Sequence, residues 1–283
     1  MGYLLRGICV FTMALGAASL ANAEDVIFTL DDDELYEVVK DRISPESFAS
    51  MSLQHKRATA RIIGENIQGA GDVSLCFSGP VPGDVMSVFN QAVFGGDKFE
   101  EITFNWTTTA TDGGGIAQGD AITITYSFIP DGTTIPANSG IGNSASASDL
   151  FSFFDGIYGS TAAWQAEFAQ MFAEWSAFTG VTYTFEPNDD GGAFPESGVS
   201  SGLPGVLGVR GDVRIGGHFV DGESGSNVLA FNFFPTSGDM VIDTANPTFY
   251  GNLASDSLRL RNVLSHEHGH GLGMVHVLPQ DGT

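Results

Sequence analysis

The residues best equipped for chemistry lie in the segment His266-Glu267-His268-Gly269-His270-Gly271-Leu272-Gly273-Met274-Val275-His276. Its spacing is H-E-x-x-H-x-x-G-x-x-H, and three of the chain's 6 histidines fall on it. Successive residues of an α-helix are about 100° apart. His266 and His270 therefore share one face, a turn apart, where two neutral imidazoles can bind a single zinc ion. Glu267 lies about 100° round from His266. It can reach a water on that metal without ligating it, which suits a general base. His268 points to the opposite face and is excluded as a ligand. Six more helical residues would carry His276 about 240° away from His270, so it joins the other two only if the chain leaves the helix. Gly273 supplies the break, because glycine adopts left-handed backbone angles without a Cβ penalty. In chains of this composition the five fixed positions arise by chance on the order of once in 10⁵.

Such a motif needs a helix over about residues 255–272 and a scaffold to hold it. Short strands are predicted at 212–215, 228–234 and 240–242, with 246–251 irregular. A second long helix is predicted at 160–178, where Trp164, Phe168, Phe172, Trp175 and Phe178 recur every three or four residues as one buried aromatic face. Gly180 ends it, and 181–186 follows as a strand. Residues 121–128 alternate β-branched and aromatic side chains with polar ones, as do 102–107, with Gly113-Gly114-Gly115 between them. Residues 187–205 read as an acidic, Gly/Pro/Ser-rich loop. Ahead of these, 47–67 reads as one amphipathic helix carrying His55, Lys56, Arg57 and Arg61, with a β-like run at 73–77. Mixed short strands and long helices place the chain in the α+β class.

Of the 283 residues, 11 are Lys or Arg and 34 are Asp or Glu, giving a formal net charge of -23. That surface repels phosphate backbones and anionic headgroups, which argues against a nucleic-acid partner or peripheral membrane binding. Hydrophobic residues make up 42%, enough for a packed core, so the acidity does not signal disorder. Residues 1–23 read as a secretory signal: Arg6 precedes an apolar run over 8–20, and Ala21-Asn22-Ala23 forms an A-x-A cleavage site. The run is too short to span a bilayer comfortably, and no later segment is apolar enough, so no membrane span is expected after signal removal. The expected location is secreted, extracellular or periplasmic. Cys9 departs with the signal and leaves Cys76 alone, so the mature chain forms no internal disulfide. The expected organisation is a signal at 1–23, an N-terminal extension or proregion at 24–100, and a main domain at 101–283; oligomeric state is not readable.

The histidine segment resembles the zinc-binding signature of the metzincin metalloendopeptidases, and most closely that of the matrixins. Weaker similarities lie upstream. Residues 175–183 resemble the family's first helix running into its second strand, 211–215 its third strand, 229–233 the edge strand beside the substrate cleft, and 238–243 its fifth strand. The resemblance spans roughly 101–276 and implies a zincin-like domain with a twisted mixed sheet of about five strands, a packing helix and an active-site helix. It implies one zinc per chain on His266, His270 and His276, with Glu267 catalytic, and a protein or peptide substrate paired as an extra strand along 228–234. A catalytically inactive metal-binding module used for adhesion or assembly is the alternative. The positions matching the family's second, structural zinc hold Phe231 and Val241, which cannot ligate; His218 stands nearby alone. Asp221-Gly222 matches the family's calcium loop, with Asp243 as a second carboxylate, and Asp189-Asp190-Gly191 could form another site. The same acids read equally well as solvated turns. The Pro-Arg-Cys-Gly context of matrixin proregions is not matched around Cys76. The resemblance also implies a methionine-bearing turn after the third histidine, so a sequence running seven residues past His276 reads as truncated.

Overall fold

The computed structural model describes residues 30–51, 53–64, 73–77, 82–85, 87–88, 105–138, 143–195, 202–222 and 228–274. The expected signal segment, His276 and everything after it lie outside the described residues.

Three helices come first. α1 (Asp32–Val39) opens on a capping box: the Asp31 carboxylate accepts from the Glu34 N–H while the Glu34 carboxylate accepts from the Asp31 N–H. α2 (Pro45–Ser50) starts on a proline behind Ser44, whose hydroxyl accepts from the Ser47 N–H at 3.2 Å. Met51 is extended (φ -81, ψ 148) and buried, and its sulfur accepts from Thr59 Oγ1. The single helix expected over 47–67 is therefore two, α2 and α3 (Leu53–Gly64), because Met51 turns into the core between them.

The remaining elements are β1 (Val73–Phe77), β2 (Thr108–Thr109), β3 (Gly113–Gly114), β4 (Ile122–Phe128), β5 (Thr134–Ile135), β6 (Ser146–Ala147), α4 (Leu150–Tyr158), α5 (Thr161–Phe178), β7 (Val181–Phe185), β8 (Val213–His218), β9 (Val228–Phe233), β10 (Met240–Asp243), α6 (Pro247–Tyr250) and α7 (Ala254–Gly271). The main sheet runs β1-β9-β10-β8-β4-β7. Pairing is parallel across β10–β8, β8–β4 and β4–β7, and antiparallel across β1–β9 and β9–β10. Five of these strands make the expected α+β mixed sheet, and β1 adds a sixth from the N-terminal region. The strand expected at 102–107 is not formed over 105–107; residues 108–109 instead pair with 113–114 across a turn in which Asp112 accepts from Thr109 Oγ1. Helix α4 was not anticipated, and α6 is one helical turn where irregular chain was expected.

Alternation divides the sheet's two faces. One carries Ile124, Tyr126, Phe128, Val213, Ile215, Met240 and Ile242, which form a single core with Trp164, Phe168 and Phe172 of α5, Phe154 of α4 and Leu260, Val263 and Leu264 of α7. Phe178, expected on that aromatic face, is 88% exposed; the stripe ends before it. On the other face β4 and β8 present Thr125, Ser127 and Arg214, while β9 and β10 present Phe231, Phe233 and Val241. Those three apolar residues share a second core with Leu35, Val39, Ile43, Phe48, Met51, Ala60 and Ile62 of the N-terminal region.

Candidate active site

Helix α7 brings the chemistry together. Its first residues are left-handed, with φ of 54 at Ser255, 58 at Asp256 and 53 at Ser257, so the regular helix runs on from Leu258. Its end is a Schellman motif: the Met274 N–H bonds the Gly269 carbonyl at 3.0 Å, the Gly273 N–H bonds the His270 carbonyl at 2.8 Å, and Gly273 has φ 93. The break expected at Gly273 is present, so the chain turns out of the helix directly ahead of His276. Trp106, distant in sequence, donates Nε1–H to the Gly271 carbonyl at 2.9 Å and holds this last turn.

His266 and His270 meet one turn apart, with their Nε2 atoms 3.1 Å from each other. His270 is 3% exposed, whereas His266 faces solvent, so the pair opens outward at one side. The Met274 carbonyl lies 2.6 Å from His270 Nδ1. A carbonyl only accepts, so Nδ1 carries the proton and the Nε2 lone pair is left for a metal, the tautomer that ligation needs. Two nitrogens on a tetrahedral zinc ion, each about 2.0–2.1 Å away, lie about 3.3 Å apart. The observed separation fits that edge. Glu267, between the two histidines, is fully buried. Among the described residues no group of three or more His, Cys, Asp or Glu is placed to hold a metal ion, and the third expected ligand, His276, lies outside them.

His268 sits where helical geometry put it, away from the pair. It is fully buried among Phe172, Trp175 and Tyr183, and its Nε2 is hydrogen bonded to the Tyr183 hydroxyl. Burial pushes its pKa down to about 3, so it stays neutral. It anchors the helix to α5 and β7.

The acidic candidates serve the scaffold. Asp243 is fully buried: Oδ1 accepts from the Val220 and Ala245 N–H groups, both at 2.9 Å, and Oδ2 accepts from Asn246 Nδ2 at 2.8 Å and from the Asp221 and Gly222 N–H groups at 3.3 Å. Asp221 Oδ2 accepts from the Val228 N–H at 3.1 Å. Both Asp243 oxygens accept from N–H donors, so the carboxylate closes the turn. Asp189 is committed to a buried ion pair with Arg214, at 2.7 Å and 2.9 Å, and Asp190 to Arg210. Those two acids are therefore both paired with arginines. His218 is held between Asn143 Nδ2 and Ser146 Oγ, and burial pushes its pKa down to about 4. Phe231 and Val241 are core residues, 1% and 0% exposed.

Strand β9 was expected to be the edge beside a substrate cleft. It is paired on both sides, with β10 on one and β1 on the other. Trp106, Tyr183 and the Met274 carbonyl escaped sequence reasoning: the first two support α7 from other elements, and the third is a backbone atom that no residue-type pattern marks.

Residues 209–281 match the family model of the Matrixin peptidases. The matched stretch contains β8, β9, β10 and all of α7, with both described histidines and Glu267. It supports a matrixin-like relationship, and with it a metalloprotease-type enzyme of a family that binds zinc. No curated protein matches the chain. Among the described residues no helix is long and apolar enough to cross a membrane.

Proposed function

We propose that the chain is a zinc-dependent endopeptidase acting on proteins outside the cell, with one zinc per molecule. The carrying observation is the His266–His270 pair, preset at 3.1 Å with the His270 tautomer fixed by Met274. The Matrixin match points the same way. His266 and His270 would hold the ion through Nε2, and His276 would complete the set. Bound there, zinc would acidify a water to a pKa near 7 and polarise the scissile carbonyl, as a Lewis acid. Glu267 takes the proton of the attacking water and returns it to the leaving amine nitrogen. Export rests on the sequence of residues 1–23, with Arg6 ahead of the apolar run and Ala21-Asn22-Ala23 after it.

Glu267→Gln tests the assignment. It should retain one zinc per chain by metal analysis and lower peptide hydrolysis by about 10³-fold or more. Near-full turnover in that variant would overturn the role of Glu267. A wild-type chain that takes up zinc and hydrolyses no peptide would favour the inactive metal-binding module.

A further inference from the structure

We propose that the outer edge of β7 pairs antiparallel with the same strand of a second copy of this chain, joining two main sheets across a two-fold axis at Tyr183. Strand β7 ends the sheet order, and among the described residues no strand pairs with its outer side. Its register with β4 runs unbroken from Ile122 opposite Val181 to Tyr126 opposite Phe185. The Gly180 carbonyl accepts from the Ile122 N–H, and the Glu186 N–H donates to the Tyr126 carbonyl, so the even-numbered residues bond inward. Backbone groups alternate along a strand, which turns those of Val181, Tyr183 and Phe185 outward. Only the Val181 N–H has a local acceptor there, Thr179 Oγ1 at 3.2 Å. Such edges are ordinarily blunted by a lysine, a proline or a bulge. The stretch Val181-Thr182-Tyr183-Thr184-Phe185 has none of these.

Three observations select a second copy as the occupant. The strand reads almost alike in both directions. Paired about Tyr183, it sets Val181 opposite Phe185 of the other copy, Thr182 opposite Thr184, and Tyr183 opposite itself; β-branched–aromatic, Thr–Thr and aromatic–aromatic pairs all favour a sheet. Exposed apolar side chains also stand at both ends of the strand. Phe178, just ahead of it, is 88% exposed, while Phe185 and Leu207 at the far end are 42% and 58% exposed. The Gly208 N–H donates to Glu186 Oε2 at 2.7 Å and fixes the Leu207 turn there. A two-fold axis brings the Phe178 end of one copy to the Phe185 end of the other. Finally, the neighbouring carboxylates are bound internally: Glu186 by the Gly208 and Asn188 N–H groups, Asp189 by Arg214 and Asp190 by Arg210. The edge is thus uncharged in a chain of net charge -23. Pairing would bury on the order of 1,000 Å² over both copies, the lower limit for a specific interface. The dimer is therefore weak and reversible, and salt strengthens it by screening the repulsion between two acidic molecules.

The test is sedimentation of the full chain over about 1–500 µM, carrying Glu267→Gln so that it cannot digest itself. A monomer–dimer equilibrium that tightens as salt rises is expected. A monomer throughout, or a dimer that salt weakens, overturns the proposal. Thr182 and Thr184 are both exposed, and the proposed register sets them face to face. Thr182→Lys with Thr184→Lys opposes like charges and should weaken the dimer about tenfold. Because the lysines also lower the overall negative charge, that weakening can come only from the local pairing. Thr182→Lys with Thr184→Glu opposes unlike charges and should restore the dimer. A dimer indifferent to both double changes uses another surface and overturns the proposal. Should the doubly substituted chains fail to fold, amide exchange on the chain with Glu267→Gln alone decides. Protection of the Tyr183 and Phe185 N–H groups should rise with protein concentration, and exchange independent of concentration overturns the pairing.

Discussion

The two faces of the central sheet are built on different principles. The face under α4, α5 and α7 is apolar from β4 across to β10 and is filled by aromatic side chains in edge-on contact, such as Phe128 with Trp164 and with Phe168. The opposite face changes character midway. Its β4–β8 half is a buried polar network, in which Arg214 and Asp189 pair at zero exposure and Asp212 accepts from Thr125 and Ala110. Its β10–β9 half is apolar and closed by helices from the N-terminal region. Among the described residues the core of the site-bearing face comes from residues 106–264, while the opposite face borrows part of its cover from residues 35–62. The N-terminal region is consequently part of the fold's hydrophobic core and cannot be treated as an appendage.

The largest effects should come from cutting each core. Phe168→Ala should cost about 3–5 kcal/mol and Leu35→Ala about 2–5 kcal/mol. If both faces fold as one unit, calorimetry will show a single transition lowered by either change. Two transitions, with Leu35→Ala moving only one, would break the comparison and make the N-terminal helices an independent layer. A smaller effect concerns the polar half. His218 takes up a proton near pH 6.5 when unfolded but only near pH 4 when folded, because burial disfavours its charged form. The unfolded chain therefore binds more protons in that window. The stability His218 contributes is complete above about pH 6.5 and is lost as pH falls towards 4. His268 shares this acid limb, so His218→Gln should flatten it without abolishing it. Denaturation midpoints between pH 7 and 4 with an unchanged slope would refute this. The smallest effect is at the entry to α7. Asp256 is exposed with φ 58, and Asp256→Gly should raise stability by up to about 1 kcal/mol, since left-handed angles cost an L-residue about that much. A lower melting temperature would show that the left-handed turn carries no strain.

What could be read in the sequence follows the same division. Local geometry settled the helix of the site: a 100° turn per residue separated His268 from His266 and His270, and the need to redirect the chain picked out Gly273. Period-two alternation gave β4, the run after Gly180 gave β7, and the aromatic stripe gave α5 as far as Trp175. Properties set by distant partners were hidden. Nothing local shows that Asp243 gathers five N–H donors and closes a turn, because three of them come from residues 220–222 on another segment. Met51 looked like one more helical residue because its reason to be extended lies in a core supplied by other segments. The family resemblance made β9 an edge, and its partner β1 comes from more than 150 residues earlier, across register contacts that no single segment encodes.

Met274 ties two events that are usually separate. Its amide finishes the helix at Gly269, and its carbonyl locks the imidazole of His270. When that last turn frays, the imidazole loses its orientation in the same motion. Were zinc held there as proposed, its escape and helix unwinding at this point would be one process with one rate, and slow solvent exchange of a single amide would serve as the clock for both.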